Sequence, residues 1–123
     1  MAKGDDTEER LINFAVYIVQ LGNRFTNTFT TRHIANQLLR CRTSPAAHYA
    51  EARGAESKRD FVHKLKLCNK ELNEARVWIK IIIRSDLLPN QPMSELLQEC
   101  NELCRITNAS IKTAQRNLET IND

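Results

Sequence analysis

Apolar residues recur along this chain at intervals of three and four, the spacing that places them on one face of an α-helix. No segment alternates apolar and polar residues in the way a half-buried strand does, so the pattern predicts an all-α fold. Four helices are expected, divided by turns rich in polar residues, glycine or proline. They run from about Thr7 to about Arg24, from about Thr31 to just before Gly54, from Ser57 to about Asp86, and from Ser94 almost to the end.

The third and fourth predicted helices carry the longest lines of core-forming residues. These are Phe61, Leu65, Cys68, Leu72, Ala75, Ile79 and Ile82 in the third helix, and Leu97, Cys100, Cys104, Thr107, Ile111, Ala114, Leu118 and Ile121 in the fourth. The first helix has a shorter line of Leu11, Phe14, Ile18 and Leu21. Such lines on helices joined by short turns predict an antiparallel four-helix bundle with up-down-up-down topology. Residues 1–123 form one domain in this interpretation, with residues 1–6 as a flexible N-terminus.

The second predicted helix differs from the others because alanine replaces its large apolar residues near the end. Ala46, Ala47, Ala50 and Ala52 predict a close approach to neighbouring helices, and Pro45 predicts a kink because it lacks a backbone N–H. Ser57 and Asp60 form a pattern typical of a helix cap at the start of the third helix. We expect Glu51 to bond donors near that start and so to hold the turn at Gly54.

The net charge of +3 is small, but the charges are unevenly distributed. Residues 24–84 contain 13 Lys and Arg residues against 5 Asp and Glu residues, whereas both flanking segments are acidic. A concentration of positive charge indicates an anionic partner. The polar, acidic N-terminus argues against a signal peptide, and no apolar run is long enough to span a bilayer. We therefore expect a cytoplasmic protein without membrane contact, whose four cysteines are thiols.

The chain resembles the four-helix bundle proteins of the 23S rRNA intervening-sequence family. The segment SPAAHYAEARGAES (residues 44–57) followed by Asp60-Phe61 carries most of the resemblance, which extends from about Gln37 to Asn117. Lys70-Glu71-Leu72 and Trp78-Ile79 support it, while His48 stands where the family commonly has Asn. The resemblance implies a homo-oligomeric bundle, with pentameric rings among relatives, and no enzymatic activity or cofactor. A related branch serves as an accessory protein to the reverse transcriptases of diversity-generating retroelements.

A basic strip is expected along one outer side of the third helix. It consists of Arg59, Lys66, Lys70, Lys80 and Arg84. Flexible cations at intervals along a rigid helix can neutralise successive phosphates of a nucleic acid. A solvated helix face would show the same pattern, and no aromatic residues interleave with the strip to stack on bases.

Two further strips of apolar residues exceed what one bundle core can bury. One lies on the first helix (Ile12, Val16 and Val19), and the other lies on the third (Leu67, Trp78 and Ile81). An apolar surface outside the core usually contacts a partner. Because the first and third helices are diagonal in the predicted topology, the two strips face different directions and predict a head-to-tail ring.

Catalytic and metal-binding motifs give weaker signals. His48, Glu51, Asp60 and His63 surround the Gly54 turn with the carboxylate-x-x-His spacing of di-metal bundles, but Asp60 also has a capping role. Cys100 and Cys104 lie one turn apart, and the expected register puts Cys68 roughly 12 to 18 Å from them, too far for a four-thiolate site. We expect no metal, no cofactor and no enzymatic activity.

The sequence thus favours a homo-oligomeric bundle that contacts nucleic acid, with structured RNA as the leading partner. The alternative is a protein-binding accessory scaffold, whose basic strip docks onto an acidic enzyme or one that carries RNA, such as a reverse transcriptase.

Overall fold

The computed structural model describes residues 4–41 and 44–122. Its helices are α1 (Asp5–Leu21), α2 (Phe29–Arg40), α3 (Ser44–Arg53), α4 (Lys58–Arg84) and α5 (Met93–Asn122). No strand occurs within the described ranges. The predicted all-α class is confirmed.

Side-chain caps define the starts of two helices, α4 and α2. The Ser57 hydroxyl accepts a hydrogen bond from the Asp60 backbone N–H at 3.0 Å, so the predicted cap of α4 is confirmed. The Thr28 hydroxyl accepts one from the Thr31 N–H at 3.1 Å, and α2 therefore begins two residues before Thr31. The cap predicted at Ser94 is wrong, because α5 already begins at Met93.

The first helix starts earlier than its apolar pattern indicated. Asp5 is already helical, and Gly4 before it has φ +94°, a left-handed conformation that favours glycine. Asp5 and Asp6 were predicted to belong to a flexible N-terminus, whereas the structure includes both in α1. Residues 1–3 of that predicted segment lie outside the described part of the chain.

Two helices replace the single second helix that the sequence predicted. α2 ends at Arg40, where the Cys41 N–H bonds the Leu38 carbonyl at 3.0 Å, and α3 begins at Ser44. Pro45 therefore lies in the first turn of a new helix, where its missing N–H leaves no hydrogen bond unmade. The predicted kink within a continuous helix is wrong for this reason.

The helices pack as a bundle. Among the described residues, α1 and α4 each pack against α2, α3 and α5, so α1 and α4 lie diagonally across from each other. Asn69 of α4 donates to the Cys104 carbonyl of α5 at 3.1 Å, and the Cys100 sulfur lies 3.3 Å from the Leu72 carbonyl. Residue numbers thus rise in opposite directions along the contact of α4 with α5. The up-down-up-down order of the whole bundle stays a prediction.

The observed core agrees with the predicted lines in α1 and most of α4. Leu11, Phe14, Ile18 and Leu21 are buried. In α4, Val62 is buried where Phe61 was expected, and Phe61 is only partly buried.

The core of α5 departs further from prediction. Leu96 and Leu103 are buried, whereas the predicted Leu97 and Cys104 are partly buried. Because α5 packs against α1 as well as α4, its buried face is rotated toward α1. Ala114 and Leu118 are half-buried, and the side chain of Ile121 lies outside the described ones.

The four alanines of α3 differ in how deeply they are buried. Ala52 is buried, with 1% of its surface exposed, and Ala46 packs partly against the core. Ala47 and Ala50 are exposed, so the close approach predicted for them is wrong. The buried face of α3 consists instead of Pro45, Tyr49 and Ala52, spaced by four and three residues.

Candidate nucleic-acid interface

The basic strip of α4 lies on its outer side. Arg59, Lys66, Lys70 and Arg84 are exposed and Lys80 is half-buried. Within residues 4–41 and 44–122, no ion pair involves any of the five. Their charges are therefore not neutralised by the described carboxylates of the same chain.

The centre of this side of α4, which is described throughout its length, carries no carboxylate. The helical period puts the exposed His63 and Val77 on the same side as the strip, and Val77 is 49% exposed. Asp60 belongs to the capped first turn. Glu74 lies at the edge, and its carboxylate approaches the Cys41 sulfur at 4.0 Å.

A second set of exposed residues lies on α2, and the sequence interpretation missed it. Its members are Phe29, Arg32, His33, Asn36 and Arg40, all exposed on the side of α2 opposite its buried residues. Phe29 is 83% exposed, the most exposed of the large apolar side chains that stand out on the described surface. The absence of Asp and Glu from residues 29–40 was the signal that could have found this face.

The α2 face adjoins α4 through an aromatic contact. The ring of His33 meets that of Trp78 edge to face, with centroids 6.4 Å apart and planes at 80°. Cations on two adjacent helices and an exposed phenyl ring are the groups that bind phosphates and stack on bases.

The two apolar strips differ in how accessible they are. On α1, Ile12, Val16 and Val19 are 39%, 48% and 45% exposed. On α4, Leu67, Trp78 and Ile81 are half-buried, and Trp78 packs against the core as well as His33. The α1 strip therefore offers the more accessible apolar surface.

The four residues with di-metal spacing are not brought together as a ligand group. His48 Nδ1 lies 3.9 Å from Glu51 Oε2, but that oxygen is 3.0 Å from the Lys64 ammonium. Among the described residues, the ligand atoms of His48, Glu51, Asp60 and His63 do not all lie within 4.8 Å of one another. A different set of residues does meet this distance. Glu51 instead joins α3 to α4, as its predicted role at the turn requires.

That other set contains Cys41, Glu71 and Glu74, whose sulfur and carboxylate oxygens all lie within 4.8 Å of one another. Burial, together with the charges of Glu71 and Glu74, raises the pKa of Cys41 to about 11. Cys41 is therefore a protonated thiol at neutral pH, and a cation could use it only by displacing that proton.

The predicted position of Cys68 is wrong. Asn69, next to it in the chain, donates to the Cys104 carbonyl, so Cys68 lies level with Cys104 rather than roughly 12 Å or more away along the axis. That expectation supposes a symmetric turn between α4 and α5, centred near residue 90. The packing of the two helices shifts this register by about two turns.

The comparisons with known proteins agree with this architecture. A family model described as "23S rRNA-intervening sequence protein" matches residues 7–109. A crystal structure at 1.70 Å resolution, of a protein of unknown function from the S23 ribosomal protein family of Bacteroides thetaiotaomicron, is similar in fold. Its TM-score is 0.81 at 29% sequence identity, and the match covers 90% of this chain and 99% of that one. The comparison with curated proteins found no match.

None of the described helices combines the length and apolar character needed to cross a membrane.

Proposed function

This chain belongs to the 23S rRNA-intervening sequence protein family, and we propose that it is a non-enzymatic protein that contacts structured RNA through the outer sides of α4 and α2. The proposal rests on one observation above all. The five cations of the basic strip have no carboxylate partner among the described residues. Neither the family nor the similar crystal structure is described as an enzyme.

The length of the strip suits a phosphate backbone. From Arg59 to Arg84 it extends over roughly 37 Å, because a helix rises by 1.5 Å per residue. Several phosphates of a duplex or folded RNA could meet these side chains without any base being read. Binding should therefore depend steeply on salt and only weakly on sequence.

The α2 face adds a means of favouring unpaired nucleotides. An exposed aromatic ring stacks on any unpaired base, whereas bases inside a duplex present no free face. Phe29 is flanked on its helix by Arg32 and His33, both exposed. An RNA with loops or bulges next to a helical stem would engage both α4 and α2.

Self-association would strengthen this contact. The exposed α1 strip supports a homo-oligomer, which repeats the cations in every subunit and raises avidity through effective concentration. The same strip also favours the second candidate function, a scaffold that holds a protein partner such as a nucleic-acid enzyme. In that case the cations would face acidic groups of the partner.

The test compares two double variants in binding to a labelled RNA hairpin at several salt concentrations. Lys66→Glu with Lys70→Glu should weaken binding and reduce the slope of log affinity against log salt by roughly 2, one unit for each lost phosphate contact. Arg24→Glu with Lys112→Glu changes the net charge equally, away from the strip, and should have the smaller effect. Phe29→Ala should weaken binding to the hairpin but not to a blunt duplex.

Two results would reject the RNA proposal in favour of the scaffold. One is the absence of binding by the unsubstituted protein at low salt. The other is equal loss of affinity in both double variants, which would mean that only the net charge matters.

A further inference from the structure

Cys41 ends α2 at a point where that helix meets α4. The residue is the C-terminal cap of α2, and 1% of its surface is exposed. Its sulfur lies 3.6 Å from the Gln37 carbonyl oxygen and 4.0 Å from Oε2 of Glu74 on α4. With Glu71, one turn earlier on α4, it forms a group in which the sulfur and one oxygen of each carboxylate all lie within 4.8 Å of one another. A buried thiol and two carboxylates from another helix thus converge on one point.

The two carboxylates of this group lack a counter-charge within the described part of the chain. Glu71 and Glu74 are half-buried, and neither makes an ion pair among residues 4–41 and 44–122. The neighbouring Arg40 is exposed, and no ion pair joins it to either glutamate in those ranges. Like charges one turn apart on a helix repel each other, so a cation held between the two carboxylates would remove an unfavourable interaction.

The end of α2 adds a further attraction for positive charge. The Cys41 backbone N–H bonds the Leu38 carbonyl at 3.0 Å, so it does not give the Gln37 carbonyl the bond that a continuing α-helix would supply. The carbonyls in the last turn of a helix form the negative end of its dipole, and cations are stabilised there. The Gln37 oxygen, 3.6 Å from the sulfur, is therefore placed to be a fourth ligand.

We propose that Cys41, Glu71 and Glu74 bind a divalent transition-metal ion of the zinc class, with the Gln37 carbonyl oxygen as the fourth ligand. One thiolate and two carboxylates together carry three negative charges, of which a divalent cation neutralises two. Zinc accepts both sulfur and carboxylate ligands, whereas magnesium and calcium prefer oxygen ligands alone. The site does not depend on RNA binding. It differs from the expectation drawn from the sequence, because its ligands come from two helices that the sequence does not place together.

The distances suit a tetrahedral ion after small movements of the side chains. Zinc binds sulfur at about 2.3 Å and carboxylate oxygen at about 2.0–2.2 Å, so neighbouring ligand atoms around it lie roughly 3.4–3.6 Å apart. The 3.6 Å between the Cys41 sulfur and the Gln37 oxygen already agrees, and the 4.0 Å to Glu74 Oε2 needs only a slight contraction. The half-buried carboxylates leave the ion a path from solvent. As the metal–sulfur bond forms, the thiol proton passes to water.

The experiment titrates the reduced, metal-free, full-length protein with Zn²⁺ and follows binding by calorimetry. One equivalent should bind with a Kd below about 10 µM, and millimolar Mg²⁺ should not compete. Co²⁺, a coloured substitute for zinc, should give a thiolate-to-metal charge-transfer band, which reports a sulfur ligand directly. Saturating Zn²⁺ should raise the melting temperature by several degrees, because the ligands are brought together only in the folded state.

Matched variants identify the ligands. Cys41→Ser should abolish the charge-transfer band, and Glu71→Gln and Glu74→Gln should each weaken Zn²⁺ binding at least about tenfold. Cys104→Ser and Glu95→Gln remove a thiol and a carboxylate outside the group, and both should bind Zn²⁺ like the unsubstituted protein.

Three results would overturn the proposal. One is the absence of Zn²⁺ binding by the unsubstituted protein at these concentrations. Another is a charge-transfer band that survives in Cys41→Ser but is lost in Cys104→Ser, which would place the metal elsewhere. The third is undiminished affinity in both glutamine variants, which would mean that the carboxylates are not ligands. If Cys41→Ser does not fold, the glutamine variants decide the question, because both positions are half-buried and retain a side chain of the same shape.

Discussion

Individual charged side chains connect parts of the chain that are far apart in sequence. Arg53 at the end of α3 binds Asp5 at 2.7 Å and Glu8 at 3.2 Å, and these contacts raise the Arg53 pKa. Arg10 donates two hydrogen bonds to Glu99, at 3.1 and 2.6 Å. The first turns of α1 are thus joined to α3 and α5. Of these ion pairs between helices, the sequence interpretation anticipated only the one that Glu51 makes.

The contact of Glu51 with Lys64 should make stability depend on pH. The hydrogen bond and the charge of Lys64 lower the Glu51 pKa from its ordinary 4.5, so the contribution is present above that value and is lost as pH falls through the folded pKa. The same bond raises the Lys64 pKa from 10.5, so the contribution is also lost as the pH rises through that folded value. Glu51→Gln should therefore melt below the unsubstituted protein near neutral pH, and the difference in melting temperature should be smaller near about pH 3.

Thermal melts followed by circular dichroism at both pH values would measure this difference. Glu56→Gln, at an exposed glutamate in the turn before α4, serves as the control. A gap in melting temperature that persists unchanged in acid would show that Glu51 acts through something other than its charge.

At the scale of the element, α3 is the helix whose sequence was hardest to interpret. It has few large apolar residues, yet it packs against both α1 and α4. Tyr49 and Ala52 provide this packing, with 8% and 1% of their surfaces exposed. Alanine is buried where two helices come close, whereas the alanines on the solvent side serve helix formation alone.

Substituting leucine at two alanines of α3 would test this account. Ala52→Leu inserts three carbon atoms into a packed contact and should destabilise the protein by about 1–3 kcal/mol. Ala50→Leu places the same atoms in solvent and should change the free energy of unfolding by less than about 0.5 kcal/mol. Urea denaturation of the two variants gives both values, and equal effects would contradict the assigned orientation of α3.

For the whole molecule, the diagonal arrangement of α1 and α4 separates two kinds of surface. The exposed apolar strip of α1 lies on one side of the bundle, and the basic strip of α4 lies across from it. A subunit could therefore associate through α1 while α4 remains free to bind an anionic partner. This separation would allow the proposed assembly and the proposed RNA binding to be altered independently.

Assembly should fail when charge is placed on the α1 strip. We expect light scattering at micromolar concentration to show a multimer for the unsubstituted protein and smaller species for Val16→Glu, because burying an unpaired carboxylate at an interface is costly. Val77→Glu, at a valine of similar exposure on α4, should leave the mass unchanged. Trp78→Glu would be a poorer test, because Trp78 also packs against the core. A monomeric mass for the unsubstituted protein would refute the proposed assembly.

The sequence by itself determined the helical class, the Ser57 cap and the buried line of α1, because helical periodicity and capping depend on residues within a few positions of one another. It also identified the cations of α4, since charge and spacing are properties of one helix. The tertiary structure decided which of two adjacent apolar residues is buried, as at Phe61 and Val62, because the neighbouring helices set the rotation of each helix. It alone placed Phe29 in solvent and Cys68 level with Cys104. Each of these depends on the register between helices, which is set by contacts among residues far apart in the chain.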